Sequence, residues 1–126
     1  MNEIRSHRDL IAWQKSFELG AQVHEITKCF PSDERFGLSS QLRRAGVSIA
    51  SNIAEGYGRE STPDYIRFLH IARGSLYEVD TQLLFALRFG YLEQERHKQV
   101  ENLLNESGRI LGGLIRAVES SSRSSN

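Results

Sequence analysis

Residues 46–61, GVSIASNIAEGYGRES, bring Asn52, Glu55, Tyr57 and Arg59 close to two glycines. Side chains of these types can orient a nucleophile, hold a phosphate or bridge two helices. A phosphate cradle needs its glycines between a strand and a helix N-terminus, where free N–H groups point at the anion. Gly56 and Gly58 instead follow a periodic apolar segment, which places them at a helix C-terminus, where the dipole repels an anion. Glu55 and Arg59 stand four apart, the spacing of an ion pair along a helix. Ser48 and Ser51 lack the strand–turn–helix context of a nucleophile elbow. Glu78 and Asp80, two apart on a helix, point to different sides and cannot serve one substrate. His7, His24, His70 and His97 include no HxxxH or HExxH spacing, so no helical metal site is expected. His24 is expected as a hydrogen-bonded core histidine. Neither a catalytic residue nor a cofactor site is expected, and the chain is not read as an enzyme.

Charge offers a second kind of chemistry. Sixteen Lys and Arg balance sixteen Asp and Glu, which argues against a strongly basic nucleic-acid binder. The balance is uneven along the chain. Residues 35–73 hold six arginines, Arg35, Arg43, Arg44, Arg59, Arg67 and Arg73, against three acids. Residues 74–108 reverse the sign. The six arginines are candidates to contact RNA, DNA or a protein partner, an attraction that salt would weaken. The competing expectation is that they make ion pairs between subunits.

The elements that carry these residues are helical. The chain has two prolines, Pro31 and Pro63, and each falls between periodic segments. Four helices are expected, at about 8–30, 34–57, 63–89 and 93–119. Helix 1 shows a stripe of Leu10, Trp13, Phe17, Ala21 and His24 at spacings of three or four. Helix 2 shows Leu38, Leu42, Ala45, Ile49 and Ile53, opens after Ser32 and Asp33, and closes on Gly56 and Gly58 as left-handed caps. Thr62 and Pro63 open helix 3, which carries Leu69, Ala72, Leu76, Val79, Leu83 and Leu87 and is closed by Gly90. Helix 4 carries Val100, Leu103 or Leu104, Ser107, Leu111, Leu114 and Val118. Residues 120–126, SSSRSSN, read as a disordered polar tail. Short loops make consecutive helices antiparallel neighbours, so residues 1–119 are expected as one all-α domain, an up-down-up-down four-helix bundle. Cys29 is the lone cysteine, which excludes a disulfide framework within the chain. No run approaches the roughly 20 apolar residues of a membrane span, and no signal-peptide pattern opens the chain, so the cytoplasm is the expected address.

Two of these helices have more apolar surface than one core stripe needs. On helix 2, Gly46, Val47, Ala50, Ala54 and Tyr57 form a second face. A polar strip of Arg44, Ser48, Ser51, Glu55 and Arg59 separates it from the first. On helix 3, Ile66, Tyr77 and Leu84 lie beside the core arc. Apolar strips rimmed by charge mark contact surfaces, so both are candidates for a subunit interface in a homo-oligomer, a dimer or closed ring. Asp80 projects near the core margin, and a half-buried carboxylate needs a partner. Arg44 and Asn52 are the expected ones.

The segments DLIAWQKS, FPSDERFGLSSQLRRAGVSIASNIAEGYGR and YIRFLHIARGSLYEVDTQLLFALRFGYL resemble a family of bacterial four-helix bundle proteins. Its first members were noted as open reading frames inside intervening sequences of 23S ribosomal RNA genes. The resemblance runs from about residue 8 to 118, and SNIAEGYGR is its most specific stretch. Where this chain has Gly46 and Ala50, the family often has Ala and Pro. The resemblance implies an antiparallel bundle assembled as a homopentameric ring. It also implies kinship with accessory proteins of diversity-generating retroelements, which contact a reverse transcriptase and nucleic acid through basic surface. It carries over no catalytic residue.

Overall fold

The computed structural model of the chain describes residues 3–124. Among them stand four α-helices: α1 Ile11–Thr27, α2 Leu38–Tyr57, α3 Thr62–Arg88 and α4 Gln94–Ser124. A 3-10 turn precedes α1 (His7–Asp9) and another precedes α2 (Ser32–Glu34). Among the described residues each helix has two close neighbours, in the cyclic order α1, α2, α3, α4 and back to α1. With short connections this is the antiparallel up-down-up-down four-helix bundle.

Local chemistry sets the helix ends. Ser6 and Asp9 form a capping box that holds the first turn. Ser32 and Asp33, expected to start helix 2, form the 3-10 turn instead. Glu34 Oε1 then accepts from the Leu38 amide at 3.1 Å and caps α2 after Gly37. The N-cap of α3 is Ser61, one residue before the expected Thr62, with its hydroxyl accepting from the Asp64 amide. Gly90 closes α3 as expected, at φ +81°, a conformation that costs glycine little. Gly56 and Gly58 do not act that way, because neither has positive φ. Gly58 caps α2 in right-handed geometry. Gly56 is buried, and a Cβ there would lie 2.8 Å from the Cβ of Phe68 on α3. Helix α4 continues to Ser124, through residues expected in the polar tail. Residues 125 and 126, the rest of that tail, lie outside the described residues.

The core joins Leu19, Val23 and Ile26 of α1 to Leu42, Ile49 and Ile53 of α2, Leu69, Val79 and Leu83 of α3, and Val100, Leu111 and Ile115 of α4. Three stripes follow expectation closely. On α3, Ala86 is buried while Leu87 is half-buried, and on α4, Ile115 lies deeper than Leu114. Helix α1 is the exception. Its buried residues are Ala12, Ser16, Leu19, Val23, Ile26 and Thr27. The expected stripe is rotated outward: Phe17 is 58% exposed, Ala21 and His24 are exposed, and Trp13 is half-buried. His24 is therefore a surface histidine. The physical reason is competition between two stripes of equal period. The aliphatic one wins because it interlocks with the tight seam against α2.

Candidate functional site

That seam rests on two glycines. A Cβ on Gly20 would come within 2.9 Å of the Gly46 carbonyl oxygen, and one on Gly46 within 3.2 Å of Val23 Cγ1. Only hydrogen at Gly20 lets the α1 and α2 backbones approach this closely. Gly46 and Ala50, expected at a subunit interface, are thus buried by α1 of the same chain.

Above the glycines the close approach leaves a shallow groove of about 420 Å³. Trp13, Phe17 and Ala21 form one wall, and Val47, Ala50 and Ala54 the other. Trp13 and Phe17 stack with ring centroids 4.9 Å apart. Val47 points outward and is 63% exposed. His24 and Ser51 supply the polar rim. The misassigned face of α1 and the second face of α2 are thus one continuous apolar surface, a feature that bundle surfaces rarely leave without a partner.

The other expected interface residues lie elsewhere. Tyr57 is half-buried and meets Tyr65 edge-on at 6.2 Å within the chain. Ile66, Tyr77 and Leu84 lie on α3, with Tyr77 and Leu84 exposed and Ile66 half-buried. Tyr77 lines a groove with Leu104 and Gly108 of α4. In the cyclic order of the bundle, the α3–α4 seam is opposite the α1–α2 seam. The chain therefore carries an apolar groove on one side and, on the opposite side, a mixed one in which Arg73, Asp80 and Asn105 join Tyr77 and Leu104.

The seam between α2 and α3 is polar. Ser48 Oγ and Ser75 Oγ are 2.8 Å apart, and Asn52 Nδ2 donates to the Ser48 carbonyl and hydroxyl at 2.8 and 2.9 Å. Outside them Gln41, Arg44, Glu78 and Gln82 line a second groove. Asn52 bonds within its own helix, and Ser48 makes the contact that crosses to α3. Asn52 does not meet Asp80, and neither does Arg44. Asp80 is five residues beyond Ser75, so it turns away from α2 and lines the α3–α4 groove instead. Among the described residues Asp80 has no ion pair.

The six arginines do not gather into one patch. Arg59 bonds Glu55 at 3.1 Å and lies 3.6 Å from Asp64, and Arg67 donates twice to Asp64. Both guanidinium groups lie over the Phe68 ring, at 4.6 and 4.4 Å. Arg73 meets His70 Nδ1 at 3.0 Å. Arg43 Nε donates to Thr27 Oγ1 at 2.6 Å. Arg35 and Arg44 are exposed and, among the described residues, have no carboxylate partner. Sequence reasoning missed Phe36, which is 88% exposed beside Arg35, and the exposed pair Phe85 and Phe89.

Burial raises the Tyr65 hydroxyl, and the hydrogen bond to Glu34 raises the Tyr91 hydroxyl. The hydrogen bond from Lys15 lowers the Glu106 carboxyl, and that from Lys28 lowers Glu25. Among the described residues no group of three or more His, Cys, Asp or Glu could hold a metal ion. Among them, too, no helix is long and apolar enough to cross a membrane.

A four-helix bundle with one apolar outer seam, over α1 and α2, is the class this geometry defines. The chain belongs to the 23S rRNA-intervening sequence protein family, whose model matches residues 8–113. It is similar to a crystal structure from Bacteroides thetaiotaomicron described as a protein of unknown function from the S23 ribosomal protein family. That likeness has a TM-score of 0.78 and 27% sequence identity, over 84% of this chain and 96% of that one. No curated protein matches.

Proposed function

We propose that the protein is a non-enzymatic, cytoplasmic assembly subunit that forms a homo-oligomeric ring, pentameric as the family resemblance implies. The observation that carries this is the continuous apolar surface of Trp13, Phe17, Ala21, Val47, Ala50 and Ala54 over the α1–α2 seam. A second, different surface around Tyr77 and Leu84 lies on the opposite side. Two unlike faces suit a head-to-tail contact, which closes into a ring when the rotation per subunit allows. The alternative use of the arginines, as ion pairs between subunits, has least support at Arg59 and Arg67, whose partners are in their own chain.

Sedimentation equilibrium tests this. The expected result is an oligomer for the parent protein and a monomer of unchanged helicity for Val47→Glu. A monomeric parent, or an unaffected variant, refutes it.

A second reading, binding of a polyanion such as RNA, is supported by Arg35 and Arg44, which lack carboxylate partners among the described residues. It predicts RNA binding that weakens with salt and falls in Arg44→Glu. No binding at low salt removes it.

A further inference from the structure

At the corner where α1 ends and α2 begins, a cleft of about 390 Å³ is lined by Thr27, Lys28, Ser32, Arg35, Ser39 and Arg43, with Phe30 and Pro31. Three of these side chains are cationic, three carry hydroxyls, and none is a carboxylate. Elsewhere Arg59 and Arg67 meet acids, Arg73 meets a histidine and Arg44 lines a polar groove.

Arg43 is the centre of the cleft. It is half-buried, and a half-buried guanidinium needs compensation. Its compensation is partial. Nε donates to Thr27 Oγ1, and Thr27 donates onward to the His24 carbonyl at 2.8 Å. That relay holds the guanidinium plane in place with one of its five donors used. Among the described residues its Nη groups have no carboxylate. Ser39 is buried beside it at 7% exposure. Arg35, from the turn before α2, lines the same space; its guanidinium lies over the Phe36 ring at 5.2 Å and, among the described residues, has no carboxylate partner.

The acids nearby are directed elsewhere. Glu34 accepts from the Leu38 amide and from the Tyr91 hydroxyl at 2.9 Å. Glu25 holds Lys28 from outside at 3.0 Å. Asp33 shares the turn with Ser32 and Arg35 but does not line the cleft.

The geometry points to a binding site for a single phosphate group, held by Arg43 and Arg35, with the hydroxyls of Ser32 and Ser39 as further donors. Arginine forks match phosphate oxygens in pairs, and hydroxyls complete the shell of a tetrahedral anion better than that of a flat carboxylate. The inference deepens the polyanion reading above, from scattered arginines to one cleft, and does not depend on the assembly face.

Titration of the full chain with inorganic phosphate at fixed ionic strength, followed through the arginine Nε–Hε resonances, tests it. Saturable shifts at Arg43 and Arg35 are expected, without comparable shifts from acetate or chloride. Arg43→Gln should weaken binding about tenfold or more, and so should Arg35→Gln, whose exposed position keeps the fold intact. Arg44→Gln, outside the cleft, should leave it unchanged. Single-stranded RNA with and without a 5′-phosphate then separates the sources. Preference for the phosphorylated end, lost in Arg43→Gln, assigns the site to a nucleic-acid terminus. Binding of inorganic phosphate without that preference assigns it to a free anion. No saturable shift, an equal response to acetate, or full binding in both glutamine variants overturns the site. Salt-sensitive RNA binding that depends on Arg44 but not on Arg43 overturns the cleft alone and leaves the polyanion reading standing.

Discussion

Helix α2 is packed on α1 along one edge and on α3 along the other, and the two seams are built by different means. Against α1 it is joined by close backbone approach, with Gly20 on the Gly46 carbonyl, and by the Arg43–Thr27 hydrogen bond at the end of α1. Against α3 it is joined by a glycine at one end, Gly56, and by the Ser48–Ser75–Asn52 network in the middle. The outer grooves differ accordingly. Over the first lie Trp13, Phe17 and Val47, and over the second Arg44, Glu78 and Gln82. Close backbone approach needs small residues, and small residues leave an apolar trough for something else to fill. A hydroxyl-bridged seam satisfies itself and presents polar groups to water. One helix can therefore serve its own core and still offer a neighbour a surface.

The largest effects should come from the glycines, because backbone cannot yield. Gly20→Ala puts a methyl on a carbonyl oxygen and should destabilise by about 2 kcal/mol, after any gain in helix propensity. Gly46→Ala meets a side chain most closely, Val23 Cγ1 at 3.2 Å and Cβ at 3.4 Å, with the Gly20 Cα at an ordinary 3.6 Å, so its cost should be offset by the roughly 1 kcal/mol gain in propensity. Denaturant midpoints of the two variants check this. Equal losses would mean that the seam is not set at Gly20. This contrast also explains how Ala can stand at the position of Gly46 in the family resemblance.

On the polar seam, Ser75→Ala removes a hydroxyl from a buried site and leaves Ser48 without that partner. A loss of about 1 kcal/mol is expected. An unchanged midpoint would show that the network contributes nothing to joining α2 and α3.

The smallest effect belongs to the α1–α4 seam, bridged by Lys15 and Glu106 at 2.6 Å. The lysine lowers the Glu106 carboxyl below 4.5 in the folded chain. Its contribution is therefore present above the unfolded value and is lost as pH falls through the lower folded one. Glu106→Gln should lower stability slightly above that acid window, and its difference from the parent protein should vanish as pH falls through it. A difference that persists undiminished through the acid window would contradict the sign.

Much of this was legible from residue types. Pro63 and Gly90 punctuate α3 because their backbone limits are local. The core stripes of α2, α3 and α4 have strong aliphatic runs. Helix α1 was not legible in the same way. Its true stripe includes Ala12 and Ser16, while the exposed one includes Trp13 and Phe17, so hydrophobicity alone favours the wrong side. The signal that distinguishes them is non-local: Gly20 and Gly46 must meet, and that meeting turns Leu19 and Val23 inward. The cap of α2 by Glu34 is hidden for a related reason, since a glutamate ahead of a glycine has no fixed capping signature. For the surface candidates, residues near in sequence proved distant in space. Arg43 and Arg44 are neighbours that serve different grooves, and Asp80 faces α4 rather than the arginine and asparagine of α2.

The central claim is that two unlike faces of one subunit meet. Mixing two variants, Val47→Glu with a broken α1–α2 face and Tyr77→Glu with a broken α3–α4 face, tests it most directly. By sedimentation each variant alone should be monomeric, and an equal mixture should form one-to-one pairs that grow no further, since each chain keeps the face the other lacks. A mixture that stays monomeric, or a Tyr77→Glu variant that assembles like the parent protein, would contradict the account.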